Sequence, residues 1–106
     1  MTWTPITRSE FDELYETQLG DLTSEQRESF ERFHVPVDTC RIRRSVVWGD
    51  ELVFVVARNA NGVMYFDDVE WGFNVSMVDE SDCILNPGGN QYTLSEAVQA
   101  WLMSKT

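Results

Sequence analysis

Apolar residues recur at helical spacing near both ends of the chain and alternate through its middle. Phe11, Leu14, Tyr15 and Leu19 fall on one helical face. Thr7 and Glu10 precede them as a capping box, in which the hydroxyl accepts the N3 amide and the N3 carboxylate reaches back. Gly20 is the expected terminator. Thr23 and Gln26 form a second box. The helix it opens runs toward Phe33, with Phe30, Phe33 and His34 on one side. Val35-Pro36 is expected to end it, because proline disfavours helix in the residue before it. Thr93 and Glu96 form a third box. Leu94, Ala97, Val98, Trp101 and Leu102 then follow the spacing of a core-facing helix.

Between these helices the period drops to two. Cys40, Ile42, Arg44, Val46 and Trp48 alternate with Arg41, Arg43, Ser45 and Val47. Gly49-Asp50 suits a two-residue hairpin turn. Leu52 to Ala57 is apolar throughout, as expected of a central strand covered on both faces or nearly so. Asn59 to Gly62 reads as a turn and Val63 to Phe66 as a strand. Trp71, Phe73, Val75 and Met77 alternate with small or polar residues as a half-buried strand. Asp79 to Asp82 is a further turn before Cys83-Ile84-Leu85, and Asn86 to Asn90 is a loop leading to the last helix. The expected fold is α+β: two N-terminal helices, an antiparallel, meander-like sheet of four to five strands, and one C-terminal helix packed on the sheet.

The length of 106 residues suits one domain spanning 1–106, and 42% hydrophobic residues can build its core. Charge changes the picture more. Eighteen acids oppose eight bases, a net charge of -10. A polyanion repels nucleic-acid backbones and anionic membranes, so neither is an expected direct partner. Residues 1–31 hold eight acids against Arg8 and Arg27. No stretch approaches the roughly 20 apolar residues of a membrane helix, and the N-terminus does not read as a signal peptide. A cytoplasmic protein is expected, monomeric or homodimeric.

Candidate chemistry is sparse. His34 is the only histidine, which excludes most zinc sites. It can cap a helix C-terminus or serve as a base beside Cys40 or Asp38. Cys40 and Cys83 read as small buried apolar residues, and a bridge between them requires neighbouring strands. Asp67, Asp68 and Glu70 form the densest acidic cluster (YFDDVEWGF). It fits a solvated turn, a docking rim for a basic partner, or a metal or acid–base site, and it lacks the spacing of a calcium loop. Gly88-Gly89 lacks the lysine and hydroxyl of a phosphate loop, and turn chemistry explains it. Arg41, Arg43 and Arg44 are the one basic patch, expected to pair with nearby acids. Trp3, Trp48 and Trp71 lie near segment ends. Trp71 follows the acidic cluster, either as an exposed anchor or as the start of the inward face it shares with Phe73. No catalytic constellation, metal site or cofactor is expected.

An acidic, aromatic-rich, compact chain resembles the bacterial immunity proteins, small inhibitors that neutralise a cognate toxin. The segment YFDDVEWGFNVS (Tyr65 to Ser76), with the closing GGNQYTLSEAVQAWL, is similar to small bacterial proteins with a like ending. The resemblance implies a non-enzymatic domain that binds a basic protein, such as a toxin, and carries over no site residues; the acidic cluster and its neighbouring indole make Asp67, Asp68, Glu70 and Trp71 the expected partner-binding residues. Three other readings remain. A phage-type anti-defence protein or nucleic-acid mimic needs carboxylates in a row. A small-ligand domain or enzyme needs a pocket with converging polar groups, such as Asp67 with His34 or an arginine. An assembly subunit needs a large apolar contact surface.

Overall fold

Two helices lead the chain, each opened by the capping box its sequence announces. α1 (Arg8–Gly20) starts where the Glu10 amide donates to Thr7 Oγ1 at 3.1 Å and the Thr7 amide donates to Glu10 Oε1 at 3.0 Å. Thr23 and Gln26 repeat the arrangement at α2 (Ser24–Glu31). Five strands follow: β1 (His34–Ser45), β2 (Gly49–Arg58), β3 (Gly62–Asp67), β4 (Gly72–Met77) and β5 (Cys83–Ile84). α3 (Leu94–Met103) closes the chain behind the Thr93–Glu96 box. The computed structural model describes residues 5–45, 49–59 and 62–103, apart from the side chains at 44, 45, 49, 50, 102 and 103.

The sheet runs in the order β4-β3-β2-β1-β5. Its two faces carry separate clusters. On one, α1, α2 and α3 bury Phe11, Leu22, Phe30, Leu94, Val98 and Trp101 against sheet residues that include Met64, Phe66 and Phe73. Phe11 is the peg of this layer: fully buried, it stacks on Phe54 at 4.8 Å and touches Phe66 and Phe73. Burying such a ring is worth roughly 1.5–3 kcal/mol. The second cluster gathers Cys40, Ile42, Val53, Val55, Val63, Tyr65 and Ile84, with Val35 and Val78 against it. A register shift between Val55 and Ala57 inserts Val56 as an extra residue, so Val56 and Ala57 both enter the helix-side core.

The architecture is α+β, and several details differ from the sequence pattern. β5 pairs in parallel with β1, through Arg41↔Cys83 and Ile42↔Ile84, so the sheet is mixed and not a pure antiparallel meander. The chain leaves β4 at one edge and crosses to the other, a non-local step that short turns do not reveal. α2 stops at Glu31, and His34 opens β1. Pro36 therefore lies inside a strand, between His34 and Asp38 where the register slips and a missing amide is tolerated. Gly49 and Asp50 are not the hairpin turn. They pair with Ser45 and Arg43 as part of β2.

Leu52 is 66% exposed, so the expected covering of Leu52–Ala57 fails at its first residue. Trp71 precedes β4 in a turn, and polar Asn74 is fully buried, against the alternation expected there. Cys40 and Cys83 lie on neighbouring strands as buried free thiols. Trp3, Val46 to Trp48 and Lys105 lie outside the described residues, as do the side chains of Arg44 and Leu102.

Candidate functional site

The link between β3 and β4 is a tight turn built from acids. Asp67 ends β3 with no exposed surface. Its Oδ1 accepts the amides of Val69 at 3.0 Å and Glu70 at 3.2 Å, folding the chain back on itself. Asp68 is 8% exposed, and its Oδ2 accepts the Ile6 amide at 2.9 Å. These two carboxylates are interior fastenings, which corrects the expectation of a solvent-facing rim at Asp67 and Asp68. Only Glu70, half-buried, and Trp71 face outward from the cluster.

Trp71 has φ 59, a left-handed conformation that costs an L-residue roughly 1–2 kcal/mol. Its indole is nevertheless 58% exposed, which excludes it from the inward face of β4. The ring stands edge-on to Phe66 at 5.3 Å. Behind it, Gly72 admits no side chain: a Cβ there would fall onto the backbone of Gln91 and within 2.8 Å of the Tyr92 amide nitrogen. The Phe73 amide donates to Tyr92 O at 2.8 Å and locks that contact. The turn therefore holds a large aromatic ring in solvent on a rigid mount.

Beside this mount lies an apolar hollow of about 230 Å³, lined by Ile6, Leu52, Phe54, Phe66 and Asp68. Leu52 at 66% and Val69 at 47% exposure add apolar surface nearby. The Arg8 guanidinium sits 6.0 Å from the Phe54 ring centroid while its Nε pairs with Asp12 at 2.8 Å. Leu52 and Phe54 carried no signal of this role, because an apolar strand run reads as core.

Much of the acidic surface lies on α1, α2 and the link between them, with Asp38, Asp79, Glu80, Asp82 and Glu96 exposed elsewhere. Glu10, Asp12, Glu13, Glu16, Asp21, Glu25, Glu28 and Glu31 are all exposed. Arg8 is spent on Asp12, and Arg27 donates to Leu19 O at 2.7 Å. Arg41 and Arg43, exposed on β1, mark the opposite character at the sheet.

His34 sits apart from Asp67. Its Nδ1 meets the Glu31 carbonyl at 2.9 Å, the capping contact expected of it, although it belongs to a strand. It lines a second, more open concavity of about 460 Å³ with Tyr15, Leu19, Arg27, Phe30 and Glu31. Spacing gave no hint that Tyr15 and Arg27 would meet His34 there. Cys40 donates to Asp82 O at 2.9 Å, and burial pushes its thiol up to about 11, which favours the protonated thiol at neutral pH. Asp38 Oδ1 accepts the Thr39 amide. Among the described residues, no three His, Cys, Asp or Glu side chains are grouped to hold a metal ion, and no helix is long and apolar enough to cross a membrane.

No family model, curated protein or solved structure matches the chain.

Proposed function

We propose that this protein is a non-enzymatic acidic binding domain that captures a basic protein, in the manner of an immunity-type inhibitor neutralising a toxin. The observation that carries the reading is Trp71: a strained, exposed indole on a turn made rigid by two buried aspartates, beside an apolar hollow. Backbone strain that burial does not recoup points to a role in recognition. Tryptophan is among the side chains that dominate binding hot spots. The eight exposed acids of α1, α2 and the link between them supply long-range attraction for a cationic partner. Such complementarity can raise association from roughly 10⁵–10⁶ to 10⁸–10⁹ M⁻¹s⁻¹ at low salt. Acid steering thus belongs to α1 and α2, and anchoring to Trp71 and Glu70. The buried free thiols fit a reducing compartment, so the cytoplasm is the proposed location.

A second reading, a nucleic-acid mimic, draws support from exposed carboxylates at three-residue intervals: Glu10, Glu13 and Glu16 on α1, and Glu25, Glu28 and Glu31 on α2. Its target would also be cationic, but contact would lie along the helices and spare Trp71.

The test is affinity capture from the source cells with wild type and Trp71→Ala, at low and high salt. The expected result is a basic protein retained by wild type, shed at high salt, and lost by the variant, whose melting temperature stays near wild type. Capture indifferent to both salt and Trp71 overturns the proposal. Salt-sensitive capture that ignores Trp71 and is displaced by DNA transfers the case to the mimic.

A further inference from the structure

We infer that the concavity between α1, α2 and the start of β1 is a seat for one cationic side chain, arginine or lysine, of the basic partner. This rests on the proposed function and locates a contact within it, on a surface separate from Trp71. The hollow is large enough for a single long side chain, at about 460 Å³. Its walls are aromatic: Tyr15 meets Phe30 edge-on at 6.4 Å, and Phe30 meets His34 at 5.9 Å. Ring faces attract cations. The Tyr15 hydroxyl is uncharged at physiological pH at its ordinary value of 10.0, and burial pushes it further up, to about 12.

Helix electrostatics point the same way. Leu19 and Glu31 both line the hollow, and they lie at the C-terminal ends of α1 and α2. A helix C-terminus carries roughly half a negative charge; neither helix has a basic residue in its last turn, and Arg32, the C-cap of α2, is turned to Glu28. The chain itself already answers these carbonyls with cation-forming groups, Arg27 on Leu19 O and His34 on Glu31 O. The Glu31 carboxylate adds a full charge at the wall, Glu16 is exposed on α1 and Asp21 just beyond its end, while Glu28 pairs with Arg32 at 3.9 Å. Arg27 is the opposing charge, and it gives the site a distinctive signature. Removing it should strengthen binding of a cation, whereas an anion site would lose its principal ligand.

The experiment is an NMR titration of isotope-labelled protein with N-acetyl-arginine methylamide and its lysine counterpart, with sulfate as a parallel arm. The expected result is amide shifts centred on Tyr15, Phe30, Glu31 and His34, about threefold weaker binding in Glu31→Gln, and about twofold tighter binding in Arg27→Gln. Each variant's own spectrum verifies its fold. Shifts scattered along the exposed acids without the concavity overturn the inference, as does perturbation of these residues by sulfate alone or an absence of shifts. Any of those results leaves the basic-partner reading standing, because that reading is decided by capture through Trp71.

Discussion

Two turns in this molecule use the same device for different ends. In each, an aspartate opens the turn and one of its oxygens accepts two backbone amides: Asp67 takes Val69 and Glu70, and Asp79 takes Ser81 and Cys83. Each turn also contains a non-glycine residue in the left-handed region, Trp71 at φ 59 and Asp82 at φ 60. Here they part. Aspartate tolerates that conformation comparatively well, and Asp82 recovers its cost through a bidentate pair with Arg58 at 2.7 and 2.9 Å. Tryptophan tolerates it poorly, and Trp71 recovers only an edge contact with Phe66. One turn is a clamp that ties β2 to the crossover before β5. The other spends conformational energy to keep a ring outside, which stability alone does not explain.

The sharpest way to break this contrast is at Gly72. Gly72→Ala drives a methyl group into the Gln91 and Tyr92 backbone and should cost about 3 kcal/mol in urea unfolding. A loss within a few tenths would mean that the Trp71 mount is soft. Asp67→Ala removes a buried acceptor from two amides and should cost about 2 kcal/mol. Asp79→Ala, at an exposed site, should cost about 1 kcal/mol. Equal losses would erase the distinction between mount and clamp.

The clamp has a pH signature. The Arg58 hydrogen bonds hold the Asp82 carboxyl below its ordinary value of 3.8. A depressed folded-state value adds stability above the unfolded value, and this is lost as pH falls through the folded one. Asp82→Asn should therefore lose about 0.5–1 kcal/mol at neutral pH, and the gap to wild type should close below about pH 4. A gap that persists in acid would assign the loss to backbone geometry. Trp71→Gly should change stability least, within about 0.5 kcal/mol of zero, because relief of strain offsets the lost contact with Phe66. A loss of several kcal/mol would place the indole in the core after all.

What the sequence disclosed follows from how local each interaction is. The three capping boxes were legible because both partners lie within four residues. The Leu94–Trp101 stripe was legible because one face meets one core. Asn74 was not, because its partner is backbone sixteen residues on: its Nδ2 donates to Asn90 O at 2.8 Å and its Oδ1 accepts the Asn90 amide at 3.1 Å. Tyr65 similarly hides a hydroxyl that accepts the Gly88 amide, so the NPGGN segment is docked on the sheet as well as turned. The acidic cluster misled for the same reason. Nothing near Asp68 in sequence shows that the Ile6 amide, 62 positions away, will claim its carboxylate. Trp71 stands out in the sequence by residue type, while its exposure depends on a backbone angle that residue type does not encode.

The first turn of α3 has a consequence for how the protein is made. The Leu94 amide donates to Gln18 Oε1 at 2.6 Å, and Ser95 Oγ donates to Gln26 Oε1 at 3.0 Å. α1 and α2 thus supply acceptors to α3, which leaves the ribosome well after them. During synthesis α1 and α2 emerge long before α3, with Phe11 and Phe30 lacking part of their final cover. Contacts this distant in sequence slow assembly. The nascent chain should therefore stay sensitive to protease until α3 clears the exit tunnel, then become resistant in a single step.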